Sequence, residues 1–297
     1  MLCNIYFGDV EKLLLGSVFG SSRIIRGSTP DFDVLLLDDK SSISLLVRIV
    51  DDFLMVSSDK MISTSFLEKL QRGIPRIGVK INSEKSRVNY AAALPSDSGN
   101  AQIRTRDLNF PWCGLLINTR TCEVSLDPTR FAGTLTTDTV VIHRTGSEGL
   151  NLKKKMKDFV RPRCSQKLLF SSFVNSLERI RLNFYDAFII CARKTCHYLR
   201  DTGVSRAYHA YIFDCACDTI VFAHSLIASK IKHDTSRPSK FQLSRKDAMS
   251  IGKYAFFKTL LREPRLAKLG EHFSCPRCRI PRYFDETKSR FQLEIRS

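Results

Sequence analysis

Apolar residues change their spacing along this chain. Up to about position 130 they come mainly as short β-prone runs broken by polar turns; beyond it they recur at helical intervals. Segment 2–15 is an early exception, with helix-like apolar spacing and Asp9, Glu11 and Lys12 grouped on a polar side. No capping residue precedes it, the expectation for a chain cut out of something longer. From 16 to 29 the composition turns to Gly, Ser and Arg and predicts a loop.

Two apolar-then-acidic segments follow. Val34-Leu35-Leu36-Leu37-Asp38-Asp39 runs into Lys40-Ser41-Ser42, so its acidic pair is expected to end in a loop. The second segment, 45–56, has β-prone residues on both sides of Asp51-Asp52, the pattern of a hairpin with the two aspartates at its turn. Positions 63–72 predict an amphipathic helix with Phe66, Leu67 and Leu70 inward, stopped by Gly73. Short strands are expected at 78–82 and 87–90 around a Ser83-Glu84-Lys85 turn. A polar loop over 95–107 then leads to a strand and turn at 110–118. Segments 152–160, 176–199, 207–232 and 246–262 carry helical periodicity, and no internal repeat is evident. The predicted fold class is α+β, with a strand-bearing part over 1–130 and a helical part over 131–297.

Composition sharpens this division. The chain has 297 residues and a formal net charge of +17, with 43% hydrophobic and 26% charged residues, so it is neither disordered nor fibrous. Residues 1–130 hold 16 basic and 15 acidic side chains; residues 131–297 hold 31 and 15. That asymmetry suggests a polyanionic partner, nucleic acid being the commonest; a merely soluble basic surface is the alternative. No uninterrupted apolar run approaches the roughly 18 residues of a membrane span, and no secretory leader is evident. The ten cysteines therefore read as reduced thiols of a cytosolic or nuclear protein.

Three patterns carry candidate chemistry. Asp51 and Asp52 would repel each other, so a divalent cation is favoured between them. Hard carboxylate oxygens suit Mg²⁺, and two such ions clamp an in-line phosphoryl displacement, which points to nucleotidyl transfer. An Asp-Asp β-turn without metal is the alternative. Lys153, Lys154, Lys155, Lys157, Arg161 and Arg163 put six cations within eleven residues, a stripe for phosphates or else a solvated helix face. Cys275-Pro276-Arg277-Cys278 follows His272. A structural zinc site needs four ligands, and Cys191, Cys196-His197 and Cys215/Cys217 lack the spacing to complete one, so zinc is not expected and buried thiols are.

Leu-Val-Arg-Ile-Val-Asp-Asp-Phe-Leu-Met-Val-Ser at 46–57 resembles the palm hairpin of reverse transcriptases, and specifically of the telomerase reverse transcriptase family. The likeness continues in order. Tyr6-Phe7-Gly8-Asp9-Val10-Glu11-Lys12 looks like the later part of the nucleotide-pocket helix. Phe66-Leu67 through Arg72-Gly73-Ile74-Pro75, with Gly78, Asn82, Lys85 and Val88-Asn89-Tyr90, is similar to the fourth palm motif. Trp112-Cys113-Gly114, running on to Asn118-Thr119-Arg120-Thr121, is similar to the primer grip, and Phe173-Val174-Asn175-Ser176-Leu177 with Asn183 and Tyr185 to the thumb. The likeness covers roughly 1–15 and 44–200.

The resemblance implies a partial palm (helix, Asp-Asp hairpin, helix, strands) followed by a mainly helical thumb. It implies an RNA-directed DNA polymerase extending telomeric DNA 3′ ends in the nucleus, with Mg²⁺, deoxynucleotide triphosphates, telomerase RNA and an RNA–DNA hybrid as partners. Asp51 and Asp52 would be two of three metal-binding catalytic aspartates, and Lys85 the proton donor to departing pyrophosphate. Read from its own residues, Lys85 is a point charge or general acid near a triphosphate, or a solvated turn lysine. Trp112, Cys113 and Gly114 would hold the primer end, although a lone tryptophan is more often a core residue. The basic stretch and Asn175 would contact the hybrid. The first catalytic aspartate has no counterpart in these 297 residues; Asp31-Phe32-Asp33-Val34 stands in the wrong order and is expected to be loop. The chain by itself is thus expected to be inactive. A retroelement or intron reverse transcriptase, a non-catalytic hybrid-binding protein and a zinc-ribbon module are the rival readings, and Trp112-Cys113-Gly114 favours telomerase over the first.

Overall fold

The computed structural model describes residues 23–28, 33–39, 42–49, 51–73, 82, 86–90, 103–104, 108–128, 139–142, 147–203, 206–232 and 241–273. The expected helix at 2–15, the strand at 78–81, Lys85, and Cys275 and Cys278 lie outside them. The chain divides into two compact units, Met1–Cys113 and Gly114–Ser297.

The first unit is built on an antiparallel four-stranded meander: β1 (Arg23–Ser28), β2 (Asp33–Asp39), β3 (Ser42–Ile49) and β4 (Asp52–Ser57), in that order. The expected loop at 16–29 is corrected in its second half, because Arg23–Ser28 pairs with β2 along its whole length. Its Arg, Gly and Ser content is that of an edge strand kept polar against further pairing, and composition alone confuses this with a loop. The loop expected at 31–34 is likewise corrected for Asp33 and Val34, which pair with Arg48 and Val47. Asp38 and Asp39 also stay in the ladder, opposite Ile43 and Ser42.

Ser44 and Ser57 bond across β3 and β4 at 2.7 Å, and Ser58 Oγ accepts from the Ile43 N–H at 3.0 Å, closing the far end of that hairpin. Asp59 then caps helix α1 (Lys60–Arg72), its carboxylate accepting from the Met61 N–H at 2.7 Å. Phe66 and Leu70 are buried as the pattern predicts, Leu67 half-buried, and Gly73 ends the helix at φ 68°. Two-residue strands β5 (Arg87–Val88) and β6 (Ile103–Arg104) pair in parallel, and β7 (Asn109–Trp112) completes the unit.

The second unit starts with the hairpin β8 (Leu115–Asn118) and β9 (Val124–Leu126). Its helices are α2 (Glu148–Cys164), α3 (Lys167–Phe170), α4 (Leu177–Thr202), α5 (His209–Lys232), α6 (Arg245–Leu260) and α7 (Ala267–Glu271). The four expected helices are there; α3 and α7 are too short for periodicity to reveal. α4 is the central element. Ser176 caps it, Gly203 stops it at φ 71°, and Phe184, Tyr185 and Phe188 are fully buried along it with Phe256 of α6 and Phe273. α5 has the length and apolar content of a membrane span despite Asp214 and Asp218. It is a core helix here, with Ala216, Ile220, Ala223 and Ile227 buried as it packs on α2 and α6.

Two asparagines join the β8–β9 hairpin to the helices. Asn183, fully buried on α4, donates from Nδ2 to the Val124 and Leu169 carbonyls at 2.9 and 2.8 Å. Asn175 accepts from the Val124 N–H and donates to the Leu168 carbonyl, each at 2.7 Å. Asn183→Leu, close in size but without donors, strands two buried carbonyls. An expected loss of about 2–4 kcal/mol follows, from about 1–3 kcal/mol per orphaned group, partly offset by apolar burial. Urea unfolding should show a lower midpoint at unchanged slope, and a loss under 1 kcal/mol would contradict the clamp.

Candidate metal hairpin and nucleic-acid interface

The β3–β4 register ends with Ile49 opposite Asp52, so Asp51 lies in the turn and Asp52 opens β4. The hairpin therefore forms as expected, with both carboxylates exposed at its tip. Behind them Leu46, Val47 and Arg48 are buried, which anchors the strand that presents the pair. Adjacent exposed carboxylates give hard oxygen donors with open positions, a set that fits Mg²⁺ retaining waters and taking substrate phosphates. Among the described residues no group of three His, Cys, Asp or Glu could hold an ion.

β7 carries Trp112, which is 9% exposed, with its indole N–H unpaired among the described residues. A tight turn follows, Cys113 at φ 49° and Gly114 at φ 75°. Two successive left-handed residues are easy for glycine and costly for cysteine. In this conformation Cys113 Sγ lies 3.3 Å from Asp52 Oδ2, a hydrogen bond across 61 residues of sequence.

The basic stretch forms most of α2, with Leu152, Met156, Val160 and Cys164 as its buried stripe. Its cations occupy both flanks. Lys153 pairs with Asp218 of α5 at 2.7 Å, a hydrogen bond that raises the lysine pKa and lowers that of the aspartate. One turn on, Lys157 and Arg161 lie 5.5 and 5.0 Å from the Phe222 ring centre, also on α5. On the other side Arg163 adds to burial in lowering the pKa of Lys194 on α4. Lys154 is exposed and Lys155 half-buried. Further along α4, burial and then the charge of Arg262 lower the pKa of Arg193. Burial also pushes Cys191 and Cys196 up to about 12, keeping them protonated.

Comparison with known proteins shows what the chain is similar to. No protein-family model matches the chain. It is 28% identical over 268 residues to telomerase reverse transcriptase of Oryza sativa subsp. japonica, covering 87% of this chain and 20% of that protein. The Canis lupus familiaris protein of the same name is 30% identical over 195 residues, 65% of this chain and 15% of its own length. That of Arabidopsis thaliana is 27% identical over 219 residues, 72% and 18%. The chain is a relative of telomerase reverse transcriptase. It spans a fifth or less of the length of these curated relatives.

Against the telomerase likeness, the expected site residues fall into groups. Asp51, Asp52 and Cys113 come together in the first unit. Lys153, Lys154, Lys155, Lys157, Arg161 and Arg163 share one helix of the second. Asn175, a hybrid-binding candidate by resemblance, is 3% exposed, and its amide binds the chain's own backbone at Val124 and Leu168. Sequence reasoning missed Asp218 and Phe222, which hold three of the α2 cations. Only their position on a helix packed against α2 could have signalled them.

Glu123 was missed as well. Its Oε1 accepts from the Ser176 hydroxyl at 2.5 Å and the Ser176 N–H at 3.0 Å, at the start of α4. Burial raises its pKa, but these bonds and Arg179 outweigh that and lower it overall, as suits a carboxylate at a helix N-terminus.

Proposed function

We propose that this chain forms the metal-hairpin, primer-grip and thumb portion of a telomerase-type RNA-directed DNA polymerase. The observation that carries the reading is the Asp51-Asp52 pair, exposed at the tip of a two-stranded turn, within a sequence related to telomerase reverse transcriptases. Asp51 and Asp52 would hold Mg²⁺, which when bound supplies charge neutralisation to an in-line displacement of pyrophosphate by a primer hydroxyl. Lys85 delivers a proton to the leaving group, and Trp112, Cys113 and Gly114 hold the primer end. The α2 cations grip phosphates of the RNA–DNA hybrid without reading bases. Substrates are deoxynucleotide triphosphates and telomeric DNA 3′ ends, the template is telomerase RNA, and the location is the nucleus.

A non-catalytic hybrid-binding role is the second reading, favoured by the two-carboxylate set. The test is primer extension on an RNA template. The 297-residue protein alone should give none above background, because no third His, Cys, Asp or Glu joins Asp51 and Asp52 among the described residues. Joined to a segment carrying the first palm aspartate, it should extend a telomeric primer. Activity of the protein alone would overturn the two-ligand account; inactivity of the joined protein with hybrid binding intact would favour the second reading.

A further inference from the structure

The geometry points to Cys113 as a positioning residue for Asp52. Its thiol donates to Oδ2 and holds the carboxylate so that Oδ1 and the remaining lone pairs stay open to a divalent cation. The inference rests on the reading of Asp51 and Asp52 as metal ligands, and goes beyond it by giving the cysteine a task distinct from contact with the primer.

Three observations support it. The 3.3 Å separation is a hydrogen-bond distance for sulfur, and an ionised carboxylate only accepts, so the thiol is the donor. Asp52 is exposed at the first position of β4. Cys113 adopts φ 49°, a left-handed conformation that a non-glycine residue holds only against backbone strain. Asparagine or glycine would occupy such a turn with less strain. A thiol also suits this place chemically. It is a poor ligand for Mg²⁺ or Mn²⁺, so it can orient the carboxylate without competing for the ion, as a further carboxylate would. Partners of ligating carboxylates act in this way at many metal sites, and their removal typically weakens binding about 10–100-fold.

The test is Mn²⁺ binding to the 297-residue protein, followed by the electron paramagnetic resonance of the free ion. A thiol is a weak donor and the site is exposed, so Cys113→Ala should raise the Mn²⁺ Kd by about 3–10-fold, below the usual range. Cys113→Ser, which keeps a donor, should stay within about twofold of the unaltered protein on the same reasoning. Cys122→Ala is the control, a cysteine at φ 58° in the other unit, and should change nothing. Asp52→Asn separates the two layers of the argument. If it leaves Mn²⁺ binding unchanged, the hairpin is no metal site and the positioning role falls with it. If it weakens binding while Cys113→Ala does not, the metal reading stands and the positioning role is overturned. Serine behaving like alanine, with circular dichroism unchanged, would overturn the donor role too, leaving only the turn's shape.

Discussion

Asp52→Ala is expected to lower primer extension by the joined enzyme at least about a thousandfold, the rate equivalent of the several kcal/mol that a metal-held charge contributes to such a displacement. Asp52 is exposed, so the change should leave the unfolding midpoint nearly where it was, as surface substitutions away from caps and buried networks do. Binding of a hybrid should also persist, because the cations proposed to grip phosphates lie on α2 in the other unit. Single-turnover extension with saturating primer would separate the chemical step from binding. A loss under tenfold, with folding intact, would remove Asp52 from the metal set. Equal loss of hybrid affinity would make its effect one of binding instead of chemistry.

The second large effect concerns salt. Joint replacement of Lys154, Lys155 and Lys157 by Ala should flatten the log–log salt dependence of duplex or hybrid binding by up to about 2.7 units, near 0.9 for each phosphate no longer neutralised. Lys153→Ala alone should change it by less than about half a unit, because Asp218 at 2.7 Å already neutralises that ammonium. The sequence by itself would have counted all four lysines equally. Affinity should fall by the same factor for every sequence, since phosphate contacts carry no base information. Titrations at four or more salt concentrations decide the matter. An unchanged slope in the triple variant would mean a solvated face remote from nucleic acid. A loss that depended on sequence would count against hybrid tracking as well.

Much of this protein is legible in its local sequence pattern. Near-continuous β-prone runs on both sides of Asp51-Asp52 encode a hairpin, because such runs favour strands and Asp favours the turn between them. The start and stop of α4 are written in Ser176 and Gly203, since a hydroxyl satisfies free helix N–H groups and glycine tolerates the left-handed exit. The order of the motifs is legible too, and it points to the same family as the telomerase relatives. Strand β1 is not, because an edge strand needs no apolar alternation and its identity lies in its pairing with β2.

What only the tertiary structure decided are the meetings of residues far apart in sequence. Cys113 reaches Asp52 across 61 positions, Lys153 finds Asp218 on α5, and Asn183 holds Val124 across 59. None of these leaves a local trace. A thiol, a lysine and an asparagine read the same in sequence whether they face water or a partner. Their roles are set by which helix and which turn the packed core brings alongside. The sequence determined which chemical groups this protein carries and which segments present them. The packing of α2 on α5, of the β8–β9 hairpin on α4 and of the Cys113 turn beside β4 determined which of those groups remain open to a ligand.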